Sequence, residues 1–288
     1  MATVKEKQIQ EAYQHCLNLA QSHYENFPVA SKLLPEKTRK PVAAIYAFAR
    51  KADDIADEGD MQAEERLRQL DVLETQLERM SRGEMSDEPS FTALSHSINK
   101  HDLPLQLFKD LLSAFKQDVT TTRYRTIEEL QDYARRSANP VGRLMLLLTN
   151  NASEENLADS DKICTALQLI NFYQDIQQDI QENDRIYIPL AELESYELGP
   201  EDLRMQSQSS AMQALLQFQY HRAQKLLSEG SGLGGRLKGR FGFEIRMIIA
   251  GGLRICHKLT YQDDLYSRPR LNKLDWIKIL LFALFKKA

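Results

Sequence analysis

The sequence predicts an all-α protein. Apolar residues recur with a helical period along most of the 288 residues, whereas the alternation typical of a half-buried strand is nearly absent. Glycine, proline and capping residues stand between the periodic segments, where they begin or end helices. Because we find no internal repeat and no segment long enough to be a domain linker, we expect a single domain over residues 1–288.

Composition and charge exclude several classes of protein. Hydrophobic residues make up 42% of the chain and charged residues 27%, which is ordinary for a globular protein. The net charge of -4 argues against a nucleic-acid partner. Three cysteines, far apart and without metal-ligand spacing, fit a reducing compartment. Since the chain has no signal-like apolar run at residue 1 and no stretch of about 18 apolar residues, we expect a cytoplasmic location.

About ten helices are predicted in order along the chain. Their approximate spans are 4–23, 39–58, 61–82, 90–101, 104–120, 127–150, 161–182, 207–229, 240–263 and 272–286. Gly83 is expected to end the third helix and Pro104 to begin the fifth, where its missing N–H costs little. Thr126 and Glu129 form a capping-box pattern before the sixth. The glycine-rich segment 229–242 is expected to be a flexible loop.

An acidic segment, YAFARKADDIADEGD, closes the second predicted helix. On a helix, Tyr46, Arg50, Asp53 and Asp57 fall within roughly 60° of one another and form one stripe. Asp53 and Asp57 lie one turn apart, about 6 Å along the axis, a spacing at which two carboxylates can share a hard cation such as Mg²⁺. The open alternative is a solvated helix end, although the helix dipole disfavours carboxylates at a C-terminus.

A second stripe of polar residues follows on the seventh predicted helix. Gln168, Asn171, Asp175 and Asp179 fall within roughly 80° of one another, on a helix that is otherwise apolar. A polar stripe of this kind needs partners, because buried polar groups without hydrogen bonds are costly. The second aspartate pair, again one turn apart, therefore indicates a second cluster of metal ligands.

Two helices of this kind, facing each other, would enclose a diphosphate bridged by Mg²⁺ ions. The metal ions would offset the charge of both the carboxylates and the diphosphate. Arg185 and Tyr187, just after the second stripe, are candidate donors to phosphate oxygens. One pair of aspartates at this spacing is a weak signal, but two pairs with polar residues upstream in an all-α chain are a strong one.

These motifs resemble those of the squalene/phytoene synthase family of head-to-head prenyl synthases. The matching segments are RKADDIAD, QLINFYQDIQQDIQENDRIYIP and, in the place of the family's middle helix, YARRSANPVG. The resemblance extends from about His23 to Asp275. It implies an isoprenoid synthase fold, with one helical domain around a central apolar cavity, Mg²⁺ as the cofactor and a prenyl diphosphate as the substrate.

The resemblance also implies roles for individual residues. The metal ligands would be Asp53, Asp57, Asp175 and Asp179. The diphosphate contacts would be Arg50 and Arg185. Tyr46 and Tyr133 would lie near the developing carbocation, and Gln168 and Asn171 would be polar wall residues near the diphosphate. His23 is a further candidate for the diphosphate, with a structural place at a helix end as its alternative.

Two segments resemble the hydroxysqualene synthase branch of this family, HYENFPVAS and RRSANPVGRL. That branch ionises presqualene diphosphate and quenches the cation with water, on the way to squalene and hopanoids. Pro140 is expected to kink the middle helix, because proline lacks an N–H and clashes with the preceding turn. Ser137 and Asn139, with Tyr133 one turn earlier, are expected to help place the quenching water. Alternatively, Asn139 only satisfies the broken helix.

Several alternatives stay open at this point. The chain could instead condense two farnesyl diphosphates to presqualene diphosphate or squalene, or be a non-catalytic assembly factor. One of Arg268, Arg270 and Lys273 is a candidate to close over the diphosphate. The apolar C-terminal segment, about 272–288, suits either a helix lying in a membrane surface at the inner membrane face or a last helix packed on the core. The sequence predicts no oligomeric state.

Overall fold

A computed structural model describes residues 4–22, 36–84 and 86–285. Within these ranges the chain forms helices and no β-strand; Arg123 and Ile186 make an isolated parallel bridge. The helices are α1 Val4–Ser22, α2 Glu36–Asp57, α3 Ala63–Ser81, α4 Pro89–His101, α5 Leu105–Thr120, α6 Ile127–Ser137, α7 Asn139–Leu148, α8 Glu154–Gln174, α9 Ile176–Asn183, α10 Leu190–Ser195, α11 Pro200–Arg204, α12 Ser210–Glu229, α13 Leu233–Arg236, α14 Gly239–Tyr261 and α15 Lys273–Phe285. The prediction of an all-α fold is confirmed.

Several helix boundaries lie at the capping and helix-terminating residues that the sequence indicates. After α3 the N–H of Gly83 donates to the Met80 carbonyl at 3.0 Å, and Gly83 has a φ of 81°, a conformation that glycine adopts at little cost. At the start of α6, Thr126 Oγ1 accepts from the Glu129 N–H at 3.4 Å. The Glu129 carboxylate accepts from the N–H of Arg125 at 2.6 Å, one residue earlier than a capping box would have it.

Two predicted long helices are each divided in two. The segment expected as 127–150 breaks at Ala138, between α6 and α7, because Pro140 has no N–H to continue the helical ladder. The expected kink is therefore a full break, with Pro140 placed in the first turn of α7. The segment expected as 161–182 breaks at Asp175, which has φ -107° and ψ 14°.

Three short helices are absent from the prediction, α10, α11 and α13. The last of these corrects the expectation of a flexible loop over 229–242. Arg246 Nη1 donates to the Gly234 carbonyl at 2.6 Å. Arg236 pairs with Asp159 at 2.5 Å and with Glu155 at 3.0 Å. These contacts hold the glycine-rich segment against α8 and α14.

The chain divides into two compact units, and the expectation of a single domain stays a prediction. The first unit comprises Met1–Thr120 and Arg143–Ala152. In it α2 packs against α1, α3, α4 and α5. Phe48 of α2 lies edge-on to Phe91 of α4 and Phe108 of α5, with ring centroids 6.1 and 5.7 Å apart. This apolar core fixes α2, which carries the first aspartate pair.

The second unit comprises Thr121–Gly142 and Ser153–Ala288. Its α8, which leads to the second aspartate pair, packs against α6, α12 and α14. Gly142 is required where α7 begins to lie on α8, since an added Cβ would come within 2.6 Å of Cys164 Sγ and closer still to Ser160 Oγ. The last helix, α15, packs on α14. None of the helices among the described residues combines the length and the apolarity that crossing a bilayer requires.

Candidate active site

Arg50 forms ion pairs with three acidic side chains at the end of α2. Its Nε lies 2.6 Å from Asp54 Oδ1 and its Nη1 lies 3.4 Å from Asp53 Oδ2, while Nη2 pairs closely with Glu58. Partial burial acts to lower the pKa of Arg50, but the acidic neighbours outweigh it and raise that pKa. The cation that the sequence places upstream of the aspartates therefore offsets much of their mutual repulsion.

The first aspartate pair lies at the open end of α2. The Asp53 side chain is 44% exposed, and Asp57, the last residue of the helix, is exposed as well. Tyr46, two turns earlier than Asp53, is half-buried against the small apolar residues that α1 and α2 share. The structure thus brings Arg50 and Asp53 together, with a carboxylate that solvent can reach.

Arg66 of α3 holds the carbonyl end of α2, a contact that the sequence analysis missed. Its Nη1 donates to the carbonyls of Ile55 and Glu58 at 2.8 and 3.0 Å, and its Nη2 donates to the carbonyl of Gly59 at 2.6 Å. A cation at this end of a helix interacts favourably with the helix dipole. Arg66 therefore makes an acidic helix terminus tolerable and fixes its position.

Asp175 is buried where α8 ends, and its partner is Arg268. Arg268 Nη2 donates to Asp175 Oδ2 at 3.1 Å, and Arg268 Nε pairs closely with Asp175 Oδ1, so the contact is bidentate. Next to it, Gln174 Nε2 donates to the Pro269 carbonyl at 2.9 Å. Of the three basic residues offered by the C-terminal segment, Arg268 is thus the one at this carboxylate.

The break in the helix keeps the second aspartate pair one turn apart. The N–H of Asp175 donates to the Asn171 carbonyl at 3.0 Å, and the N–H of Asp179 donates to the Asp175 carbonyl at 2.8 Å. Gln168 and Asn171 are half-buried on the last turns of α8. The spacing predicted from the sequence therefore holds, although the helix does not run straight through Asp175.

A small cavity in the second unit joins three of the predicted residues. It has a volume of about 10 Å³, and Asp179, Arg185 and Tyr187 line it together with apolar side chains. The N–H of Arg185 donates to the Asp179 carbonyl at 3.0 Å, which ties the turn after α9 to that helix. A space of this size admits about one water molecule. The structure therefore places these three residues around one cavity, and their roles stay predictions.

Four aromatic rings form a cluster next to these residues. Phe172 and Tyr187 stack with ring centroids 3.7 Å apart and planes 7° apart. Tyr133 lies 6.1 Å from Phe172 and 5.6 Å from Tyr124, centroid to centroid. Aromatic faces attract cations, most strongly where water is excluded. Tyr124 and Phe172 were not predicted, though Phe172 is one helical turn after Gln168 and so shares its face.

The break between α6 and α7 is lined with polar groups. Thr165 Oγ1 of α8 donates to Asn139 Oδ1 at 3.0 Å, and both residues are buried. The hydroxyl of Ser137 is also buried, and among the described residues it has no hydrogen-bond partner. Asn139 therefore accepts a hydrogen bond from a residue of α8, while the Ser137 hydroxyl retains an unused donor and acceptor.

The carboxylates fit Mg²⁺ as it is usually bound with phosphate substrates. Among the described side chains, no three His, Cys, Asp or Glu residues converge closely enough to hold a metal ion by themselves. Mg²⁺ typically takes one or two carboxylates and completes its shell with water and substrate phosphates. A pair of aspartates one turn apart matches that donor set. His23 lies outside the described residues.

Sequence comparisons place the chain among known proteins. The model of the family described as "Squalene/phytoene synthase" matches residues 20–276. A hydroxysqualene synthase from Rhodopseudomonas palustris is 36% identical over 254 residues, which cover 88% of this chain and 85% of the relative. A hydroxysqualene synthase from Zymomonas mobilis is 34% identical over 264 residues, covering 90% and 86% respectively.

Solved structures show the same fold. The squalene synthase HpnC from Alicyclobacillus acidocaldarius superposes with a TM-score of 0.81 at 35% identity, covering 87% of this chain and 94% of that one. A dehydrosqualene synthase in complex with a ligand gives a TM-score of 0.81 at 23% identity, with 97% of this chain and 98% of that chain covered. The second likeness supports the fold alone.

Proposed function

Because this chain belongs to the squalene/phytoene synthase family, we propose that it is a hydroxysqualene synthase, which converts presqualene diphosphate and water into hydroxysqualene and diphosphate. The main support is its similarity, over most of their length, to three relatives with that name at 34–36% identity. The polar break between α6 and α7, next to an aromatic cluster, fits a water quench.

The proposed substrate contacts use the charged residues of both motifs. Asp53 and Asp57 of α2, and Asp175 and Asp179 of α8 and α9, would hold Mg²⁺ with the diphosphate. Bound Mg²⁺ would neutralise the leaving diphosphate as the C–O bond breaks. Both electrons of that bond leave on the diphosphate oxygen.

Arg50 and Arg185 would stabilise the same leaving group. Each guanidinium presents N–H donors that bind phosphate oxygens more strongly than neutral donors do. Arg50 is already held among carboxylates, and Arg185 is buried beside Asp179. Because both are fixed in place, little reorganisation is needed as negative charge develops on the diphosphate.

The carbocation that remains must first be protected from bulk water and then react with one nucleophile. The faces of Tyr124, Tyr133, Phe172 and Tyr187 would stabilise positive charge and exclude bulk water while the carbon skeleton rearranges. A single ordered water would then attack the cation, forming the C–O bond of the product and releasing a proton. Ser137 and Asn139 would hold that water, because a buried water needs two to four polar partners.

One incubation tests this function. Purified protein is given presqualene diphosphate and Mg²⁺ in water enriched in ¹⁸O, without a nicotinamide cofactor. We expect hydroxysqualene with one ¹⁸O in its hydroxyl group. A parallel incubation with farnesyl diphosphate tests the alternative reaction. Conversion of farnesyl diphosphate together with inertness toward presqualene diphosphate would overturn the proposal.

We also propose peripheral contact with a membrane through α15. One narrow stripe of this helix, Asp275, Ile279 and Ala283, is buried. The opposite side is apolar and exposed, with Ile277 at 54% and Leu284 at 53%. Exposed apolar side chains over more than half of a helix, with lysines on its flank, match the pattern of interfacial helices. A substrate with long isoprenoid chains would reach the enzyme from such a surface.

Substitution on the exposed face tests the membrane contact without disturbing the buried stripe. The triple variant Ile277→Gln, Leu281→Gln and Leu284→Gln should lose most of its co-sedimentation with phospholipid vesicles and keep its turnover of detergent-solubilised substrate. The matched control replaces three exposed apolar residues elsewhere by glutamine, Val72, Met205 and Phe218. Equal sedimentation of the triple variant and the control would exclude α15 as the contact.

A further inference from the structure

A second cavity lies in the first unit, away from the aspartates. It has a volume of about 430 Å³ and is lined by residues of α1, α2 and α4, namely Gln10, Tyr13, Lys37, Lys40, Pro41, His96 and Lys100. We call it the basic pocket. Lys40 precedes Asp53 by thirteen residues on the same helix, which separates them by about 20 Å along its axis. The basic pocket is therefore distinct from the aspartate site on α2.

Among the described residues, no carboxylate pairs with the three lysines of the basic pocket. Lys40 Nζ donates to the neutral Gln10 Oε1 at 2.5 Å, and the structure gives Lys37 and Lys100 no ion pair with a described residue. Elsewhere in this unit lysines pair with carboxylates, as Lys116 does with Asp71 and Glu74 at 2.6 Å. None of the described residues that line the pocket is acidic. In a chain of net charge -4, this is a local concentration of uncompensated positive charge.

Burial, with a contribution from the lysine charges, lowers the pKa values of two histidines at or near the basic pocket, His96 and His101. The Tyr13 hydroxyl lies 2.8 Å from His96 Nδ1 and 2.8 Å from Ser97 Oγ, which fixes the imidazole. Burial, and then the charge of Lys100, lower the pKa of His96. Burial lowers the pKa of the neighbouring His101 too, with further contributions from Lys100, His96 and Lys37. A bound anion would offset these charges and raise both pKa values.

We propose that the basic pocket binds a phosphate-bearing anion. Three lysines line a space large enough for such a group, and ammonium groups bind phosphate as point charges. The phosphate could belong to free inorganic diphosphate, the small product of the proposed reaction, or to the headgroup of an anionic phospholipid. Both sources present the same chemistry to the lysines, and the experiment separates them.

Calorimetry tests the free anion. Sodium diphosphate is titrated into the protein in EDTA, which removes the Mg²⁺ through which the aspartate pairs are proposed to act. We expect saturable binding that is at least tenfold weaker in the double variant Lys37→Gln and Lys100→Gln. Both side chains are exposed, so this variant should melt at the temperature of the parent protein. The control double variant Lys225→Gln and Lys238→Gln removes the same charge from exposed sites on the second unit and should bind like the parent.

Vesicles test the lipid source. If the headgroup is the ligand, the pocket variant should sediment less than the control variant with vesicles of phosphatidylcholine and phosphatidylglycerol in equal parts. In either case the His96 imidazole should titrate at a higher pH, by NMR, when the anion is bound. Binding of diphosphate and vesicles that is the same in the pocket variant as in the control, or absent from the parent protein, would overturn the proposal. Because the readout is binding in EDTA, it is independent of whether the chain makes hydroxysqualene.

Discussion

At the scale of single residues, the two aspartate motifs differ in how their carboxylates are held. Asp53 is partly exposed to solvent and shares Arg50 with Asp54 and Glu58. Asp175 is buried, and Arg268 holds both of its oxygens. Loss of one charge should therefore have the same effect on catalysis at both places and a different effect on stability.

Asp53→Asn should abolish most turnover of presqualene diphosphate and leave the melting temperature nearly unchanged. The reason is that an exposed ion pair contributes at most about 1 kcal/mol to stability, whereas an amide is a poor ligand for Mg²⁺. Turnover and a thermal melt measure the two effects. Asp60→Asn, on an exposed residue of the same acidic segment, is the control. Near-normal turnover of Asp53→Asn would remove it from the metal site.

Asp175→Asn should lose turnover and also lower the free energy of unfolding, by about 2 kcal/mol, because it removes the charged acceptor of a bidentate hydrogen bond from Arg268. The double variant Asp175→Asn and Arg268→Gln should recover much of the stability and none of the turnover. Urea unfolding of both variants gives the comparison. Recovery of turnover in the double variant would show that Asp175 acts only through Arg268.

Ser137→Ala and Asn139→Ala distinguish a role in positioning the quenching water from a role in stabilising the helix. Ser137 makes no hydrogen bond to a described residue, so its loss should leave stability unchanged, whereas Asn139→Ala breaks the bond from Thr165 and should cost about 1 kcal/mol. We expect both variants to convert part of the presqualene diphosphate to hydrocarbons instead of hydroxysqualene. A normal product pattern in both would contradict the proposed water site.

At the scale of elements, α15 is held at its first turn by a buried charged residue. Asp275 is 1% exposed and pairs with Arg254 at 2.5 Å and Lys258 at 3.0 Å. Its carboxylate also accepts from the N–H of Asn272 at 2.9 Å, while its own N–H donates to Asn272 Oδ1 at 2.9 Å. These two reciprocal hydrogen bonds between Asn272 and Asp275 form a capping box at the start of α15.

The fastening of α15 should weaken in acid. Burial alone would raise the pKa of Asp275, but the hydrogen bonds from Asn272, Arg254 and Lys258 outweigh it and hold that pKa at about 2, below the ordinary 3.8. Since the unfolded chain then binds the proton more tightly, the contribution to stability is complete above about pH 4 and is lost as the pH falls toward 2. Melting temperatures from pH 7 to pH 2 should show a loss in this window that Asp275→Asn lacks. A parallel fall in the variant would mean that other carboxylates are responsible.

The helices themselves were largely predictable, and their breaks were less so. Apolar periodicity and end signals placed most boundaries within a few residues, because both act locally. The break at Ala138 followed from Pro140, although only a kink was expected there. No local signal marks the break at Asp175, because its carboxylate is held by Arg268, which lies 93 residues away in the sequence.

At the scale of the whole molecule, the proposed chemistry depends on a metal ion that the carboxylates complete only with a substrate. No three ligating residues among those described converge by themselves. EDTA should therefore stop turnover and leave the melting temperature of the substrate-free protein nearly unchanged, and added Mg²⁺ should restore turnover. Activity that survives EDTA would point to a different way of neutralising the diphosphate.

The residues of the candidate site were predictable where they follow one another along a single helix or directly after it. Spacing along a helix found the two aspartate pairs and Arg50, and order along the chain found Arg185 and Tyr187. Arg66 and Tyr124 were missed because each reaches the site through tertiary packing, and a sequence pattern carries no signal for that. Arg268 was one of three equivalent candidates until the fold placed it on Asp175.

The pairing of Asp175 with Arg268 has a consequence for how the chain is made. Ribosomes add about 5 to 20 residues per second, so Asp175 is synthesised roughly 5 to 20 s before the arginine that will hold it. During that interval the end of α8 cannot settle into its final form, because burial of a lone carboxylate is unfavourable. The second aspartate motif should therefore mature only after Arg268 has been translated. A nascent chain arrested before residue 268 would carry all four aspartates and still lack a finished site.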